Sequence, residues 1–165
     1  MKYELLDNDT IEYKGRTLKR IKRIADGKLG GYIEFETNLS QRGTCWVHED
    51  AKVYEDAHVD DDAQIMGNAC VHGHAAVAGS AVIAGNAIIH GRAEVYNCAR
   101  IGDEAQVFGW SKVYGNSEIK GRSSVHGDAK VCDAILIDTE VLDRVELYTN
   151  VIIKKLQMKG NGSMS

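Results

Sequence analysis

The chain has 165 residues, enough for one folded unit with a small appendage. Hydrophobic residues make up 44% and aromatic residues only 7%, so the core must be built from small and β-branched side chains, which favours a stacked sheet over a helical bundle. The net charge is −4, but it is unevenly shared: residues 1–44 carry nine Lys and Arg against seven Asp and Glu, and residues 45–138 carry seven against fourteen, an acidic body that argues against broad nucleic-acid binding.

Residues 1–44 read as a small β cap. Strand-like runs at 2–6, 10–13, 16–24 and 32–36 are separated by Asp7-Asn8-Asp9, by Lys14-Gly15 and by glycine-rich turns. Along 16–24, Arg16, Lys19, Arg20, Lys22 and Arg23 surround Leu18, Ile21 and Ile24. That pattern fits a solvated strand face, with contact to an anionic ligand as the sharper alternative.

Residues 45–138 carry a repeat. Val or Ile stands at every sixth position from Val47 to Ile137, and all sixteen places are filled. Four residues after each comes a small side chain, from Ala51 through Ala105, then Ser111, Ser117, Ser123 and Ala129, with larger Ile135 and Val141 at the end. Gly recurs two residues after the aliphatic at 67, 73, 79, 85, 91, 109, 115, 121 and 127, with Asp, Glu or Asn at most of the others. The unit V-x-G-x-A-x is a short strand with its aliphatic inward, followed by a corner where Gly tolerates positive φ and the small residue fits the inner angle. Three sides close a triangular coil of eighteen residues, and about five coils stacked at roughly 4.8 Å account for the repeat. Sorting by eighteen puts Val47, Ile65, Ile83, Ile101, Ile119 and Ile137 on one face, whereas the other two faces are almost all Val.

Residues 139–165 read as a C-terminal capping segment. The six-residue register breaks after Ile137 and resumes four residues late with Val145/Leu147 and Val151/Ile153. The stretch 145–158 is expected to close the last coil as a strand or helix, covering its unpaired edge, and Gly160-Asn161-Gly162-Ser163 to be disordered.

The uninterrupted repeat resembles the hexapeptide-repeat family, whose [LIV]-x-x-x-[STAV]-x rule is matched from 47 to 134. The resemblance implies an all-β, left-handed parallel β-helix. A closer resemblance, on Leu29-Gly30-Gly31-Tyr32-Ile33-Glu34, Asn38-Leu39-Ser40 and Trp46-Val47, is to uncharacterised phage and prophage hexapeptide-repeat proteins. It implies an accessory phage-type protein without an assigned activity, whose partner could be a host defence factor.

Candidate chemistry concentrates on the second face. Tyr54, His72, His90, Phe108 and His126 follow the inward aliphatic once per coil and are expected to stack as an outward ladder. Cys70 and Ile88 flank it and Trp110 lies at the adjacent corner, so this is the stickiest derivable surface; Tyr96 and Tyr114 belong to the third face. Three readings of the ladder stand side by side: rungs that stabilise stacked strands or lie beneath a terminal segment, a protein interface including self-trimerisation, and a catalytic or metal role. His72 and His74 form an H-x-H pair, a weak metal signal, and no metal is assigned. The four cysteines, Cys45, Cys70, Cys98 and Cys132, contain no CxxC pair and read as reduced structural thiols. Glu49, Asp50, Glu55, Asp56, Asp60, Asp61 and Asp62 crowd the first coil, as a solvated surface that blocks end-to-end stacking, or as a dock for a basic partner or a mimic of nucleic-acid charge.

Enzymes of the resembling family are mostly acyltransferases that bind acyl-coenzyme A between subunits and use a His as general base; His72, His90 or His126 would be the candidates. Two family features are missing: a loop interrupting the coils between 47 and 137, and the His-x4-His spacing of the family's zinc carbonic anhydrases. The reading favoured is a cofactor-free, non-enzymatic protein that presents flat faces to a protein partner or to itself. No apolar run reaches the roughly 18 residues of a membrane span, and the start MKYELLDNDT lacks a signal-peptide layout, so a cytoplasmic protein is expected.

Overall fold

The computed structural model describes residues 1–148, 150–160 and 163–164, the last two as backbone alone. Three strands open the chain: β1 (Tyr3–Tyr13), β2 (Arg16–Arg23) and β3 (Leu29–Ile33). They form an antiparallel meander. A single 3-10 turn, Glu36–Asn38, follows. The rest consists of 21 strands of two or three residues, all paired in parallel, and the described residues include no α-helix.

These short strands line up in three sheets, the three faces of a parallel β-helix. Face one runs from Trp46–Val47 to Ile152–Lys154, face two from Lys52–Val53 to Gln157–Met158, and face three from His58–Val59 to Ser163–Met164. Each face has seven strands of the solenoid, so the helix has about seven coils rather than the five counted from the repeat. The inward aliphatics are sealed from solvent throughout, Val47 to Val131 among them. Removing each from water contributes about 1.5–3 kcal/mol, and none can be buried by one coil alone, so the stack forms as an array.

The two extra coils come from the segment assigned above to a cap. After Val131 the corner loses one residue: Asp133, at φ 53°, is followed directly by the small, buried Ala134. The inward residue of the next side is therefore Leu136, fully buried, and the six-residue count that places Ile137 inward is corrected by one position. Asp138 and Thr139 repeat the short corner, which brings Val141 inward as an aliphatic rather than as the small residue of the unit. Leu147, Ile153 and Met158 continue the three columns. Ser163–Met164 pairs with Glu146–Leu147, so Ser163 is ordered in the sheet; Asn161 and Gly162 lie outside the described residues.

From Val47 to Ile153, every described corner places its second residue after the aliphatic in the left-handed region, with φ from 49° at Asp138 to 74° at Gly109. At several of these corners an added side chain would be crowded by the next coil: a Cβ on Gly85 would sit 2.9 Å from the Asp103 carbonyl oxygen. The corner N–H at this position takes no part in the ladder between coils. In the first coil the acidic residues answer it. Glu49 Oε2 accepts from Gly67 N–H (2.7 Å), Glu55 Oε2 from Gly73 N–H (2.7 Å) and Asp61 Oδ2 from Gly79 N–H (3.0 Å). These three acids therefore act within the stack, tying one corner to the next.

The meander sits on top. β3 pairs in parallel with Lys52–Val53, and Gly31 permits the approach, since a Cβ there would lie 2.5 Å from the Ala51 carbonyl oxygen. β1 runs unbroken through Asp7-Asn8-Asp9, where a bulge between Leu6 and Thr10 replaces the expected turn. At the open end of the β1–β2 hairpin, Tyr3 enters the core and its hydroxyl donates to the Leu39 carbonyl at 2.7 Å. Among the described residues, no helix is long and apolar enough to cross a membrane.

Candidate functional site

The ladder on face two forms as the period of eighteen requires. Tyr54, His72, His90, Phe108 and His126 stack with ring centroids 4.8, 5.1, 4.8 and 4.7 Å apart and interplanar angles of 7° or less. The spacing is that of the coils, so the backbone sets the rungs and each ring packs on the next. Tyr96 and Tyr114 form a shorter stack on face three, at 5.0 Å.

The upper rungs are not surface. The tip of the β1–β2 hairpin folds over them, so Tyr54 is 1% exposed and Cys70 is buried with Leu18 and Tyr32. Tyr13 meets Tyr54 edge-on at 5.7 Å, and its hydroxyl lies 3.7 Å from Cys70 Sγ. That thiol contact, with burial, pushes the Tyr13 phenol up to about 12. Tyr54 is raised further, first by burial. Tyr54 and Cys70 are thus removed from the outward surface expected of them. Tyr13 is the covering residue missed in the sequence; it precedes Tyr54 by forty-one positions, and no periodicity links them.

Below the hairpin the ladder opens. His72, Ile88, His90, Phe108 and His126 are all half-buried, and Ile88 lies in the neighbouring outward column between Cys70 and Gln106. From His90 to Ser124 this part of the face carries no charged side chain of its own. At the adjacent corner Trp110 is 60% exposed, with the Arg92 guanidinium 4.5 Å from its ring centroid. A groove of about 450 Å³ beside Trp110 is lined also by Asp128, Asp143 and Arg144.

The histidines differ in their partners. His72 Nδ1 lies 3.4 Å from Glu55, and His126 Nε2 lies 3.3 Å from Glu140. Burial pushes the His72 imidazole below its usual value, outweighing the pull of Glu55. His90 is lowered as well, by burial first and then by His72 and Lys14. Glu55 is held low although burial opposes it, because Gly73 N–H, His72 and Arg16 together favour the carboxylate. His72 and His90 are each sandwiched between two rings of the ladder. His74 points to Asp56 at 3.4 Å, and the described residues contain no group of three metal-ligating side chains.

The basic run is largely spoken for. Arg16 pairs with Glu34 (2.9 Å) and Glu55 (3.2 Å), Lys19 with Asp7 (2.6 Å), Arg20 with Asp9 (2.8 Å) and Lys22 with Glu4 (3.1 Å). All four cysteines are free thiols, with Cys45 and Cys70 buried and Cys98 exposed. A scan against protein-family models finds no match, and a comparison with curated proteins finds no relative.

Proposed function

We propose that this protein is a non-enzymatic scaffold whose open stretch of face two, from Ile88 and His90 through Phe108 to His126, docks a protein surface, a second copy of the chain being the first occupant. The observation that carries the reading is the contrast along one ladder. Its upper rungs are covered by the chain's own β-hairpin through Tyr13, and the lower rungs offer the same chemistry uncovered. A partner that brings an aromatic or aliphatic β-surface repeats that contact. The face also suits like-charged copies, because the repeat is acidic overall and the strip carries no charged side chain of its own from His90 to Ser124. Trp110 and Arg92 at the rim are the residue types that anchor interfaces. The phage-type resemblance adds a host protein as an alternative occupant of the same strip.

Light scattering on the purified protein tests the reading. A mass at a multiple of 18.1 kDa that shifts with concentration supports it, and a strict monomer at every concentration counts against self-association. The acyltransferase reading, with His72, His90 or His126 as the general base, is separated by titrating coenzyme A. Saturable binding, with acyl transfer lost in His90→Ala, would replace the scaffold reading.

A further inference from the structure

Two further cations of the N-terminal region, Lys2 and Arg23, come together beyond the run of Arg16, Lys19, Arg20 and Lys22. Arg23 forms a long ion pair with Asp26, at 3.6 Å, at the rim of the hairpin's open end. Lys2 Nζ donates to the carbonyls of Arg42 (3.1 Å) and Cys45 (2.9 Å) and lies 3.1 Å from Cys45 Sγ, with no carboxylate bound among the described residues. Both line one cavity of about 260 Å³, where the open end of the hairpin meets the first coil. Thr44, Trp46, His48 and Gln64 complete its walls, and no carboxylate lines it.

Trp46 belongs to the same wall and is 3% exposed. Its indole Nε1 is the only buried side-chain nitrogen or oxygen among the described residues without a hydrogen-bond partner. A buried donor without an acceptor is unfavourable, and native proteins leave few of them. The neighbours cannot supply the acceptor from their present contacts: His48 Nε2 is engaged with Gln64 Oε1 at 2.7 Å, and the Arg23 guanidinium, a donor alone, lies 4.9 Å from the Trp46 ring centroid. The cavity is therefore bordered by two positive charges, and one unpartnered N–H belongs to a residue of its wall.

We propose that this cavity binds a small oxyanion, a carboxylate or a phosphate, which accepts from Trp46 Nε1–H and pairs with Arg23 while Lys2 adds a second positive charge. An acceptor-only ligand suits two cations and an unpartnered N–H, and the guanidinium fork matches both oxyanions. The volume limits the ligand to a small molecule. Lys2 and Arg23 belong to the hairpin and Trp46 to the first coil, so a bound anion would clamp the cap to the solenoid.

Trp46 and Trp110 are the only tryptophans, so Trp110→Phe leaves Trp46 as the sole indole. In that protein the indole ¹⁵N–¹H resonance is followed during titration with inorganic phosphate or with acetate, at ionic strength held constant with chloride. A saturable shift is expected, together with protection of the hairpin in hydrogen exchange. A response to phosphate without acetate assigns the ligand as a phosphate, and responses to both assign a general oxyanion site. In calorimetry with the responding anion, Trp46→Phe and Arg23→Gln should each weaken affinity about tenfold or more, the loss of one charge-assisted hydrogen bond, while exposed Lys28→Gln binds as the parent does. Trp46→Phe keeps a ring in the packing, and circular dichroism verifies its fold. No shift beyond the chloride control, or unchanged affinity in both variants, overturns the proposal.

Discussion

The two halves of the ladder on face two differ in what covers them, not in how they are built. At the top, Tyr54 is sealed by Tyr13 and Leu18 and behaves as core; farther down, His90, Phe108 and His126 hold the same stacking geometry with their outer edges open. One strand pattern thus serves as interior or as surface according to whether another segment lies over it. The hairpin covers the upper rungs with Leu18 and Tyr13.

Truncating one ring in each half should separate the two most strongly. Tyr54→Ala should cost about 3–5 kcal/mol in urea unfolding, as for a large buried ring, whereas Phe108→Ala should cost only about 1–2 kcal/mol because its outer edge already meets solvent. Equal losses would mean that the hairpin does not seal the upper rungs. The corners give an independent pair. Gly85→Ala, strained at φ 66° and crowded by Asp103, should lose about 1–3 kcal/mol. Gly102→Ala, with open space around the added Cβ, should stay within about 0.5 kcal/mol. Smaller still is the effect on thiol access. Tyr13→Ala should raise the labelling rate of Cys70 about tenfold, matching the roughly 1.4 kcal/mol of an aromatic edge contact, while exposed Cys98 labels at its original rate.

The smallest expected effect is a pH dependence. An unfolded imidazole titrates near 6.5, and burial holds folded His72 and His90 below that. As pH falls, the unfolded chain takes up protons first. Stability is therefore complete above about 6.5 and declines below it until the folded rings are protonated too. Urea midpoints measured between neutral and mildly acidic pH check this, and His90→Phe should flatten the decline.

Most of the solenoid is legible in the sequence because one inward aliphatic per six residues is a period that no helix shares. What escaped is instructive. Ile135, Leu136 and Ile137 are three aliphatics in a row, so a one-residue deletion at Asp133-Ala134 is invisible to a count by six, and only strand pairing chooses Leu136. Glu140 comes to lie against His126 through the same slip. The ladder was readable rung by rung, but its cover was not. Contacts such as Tyr13 with Tyr54 depend on how a hairpin tip folds back, and local pattern carries no record of that. The acidic first coil was readable as charge and not as structure, since the need of Gly67, Gly73 and Gly79 for an acceptor appears only once corners stack.

The central claim is that the open lower ladder is the docking strip, and the double substitution Ile88→Lys with Phe108→Lys tests it most directly. Both positions are outward and half-buried, so the stack should keep its far-ultraviolet circular dichroism and most of its stability. The parent protein should sediment as a multiple of 18.1 kDa and the folded double variant as a monomer. A double variant that remains folded and keeps the parent's assembled mass would contradict that claim.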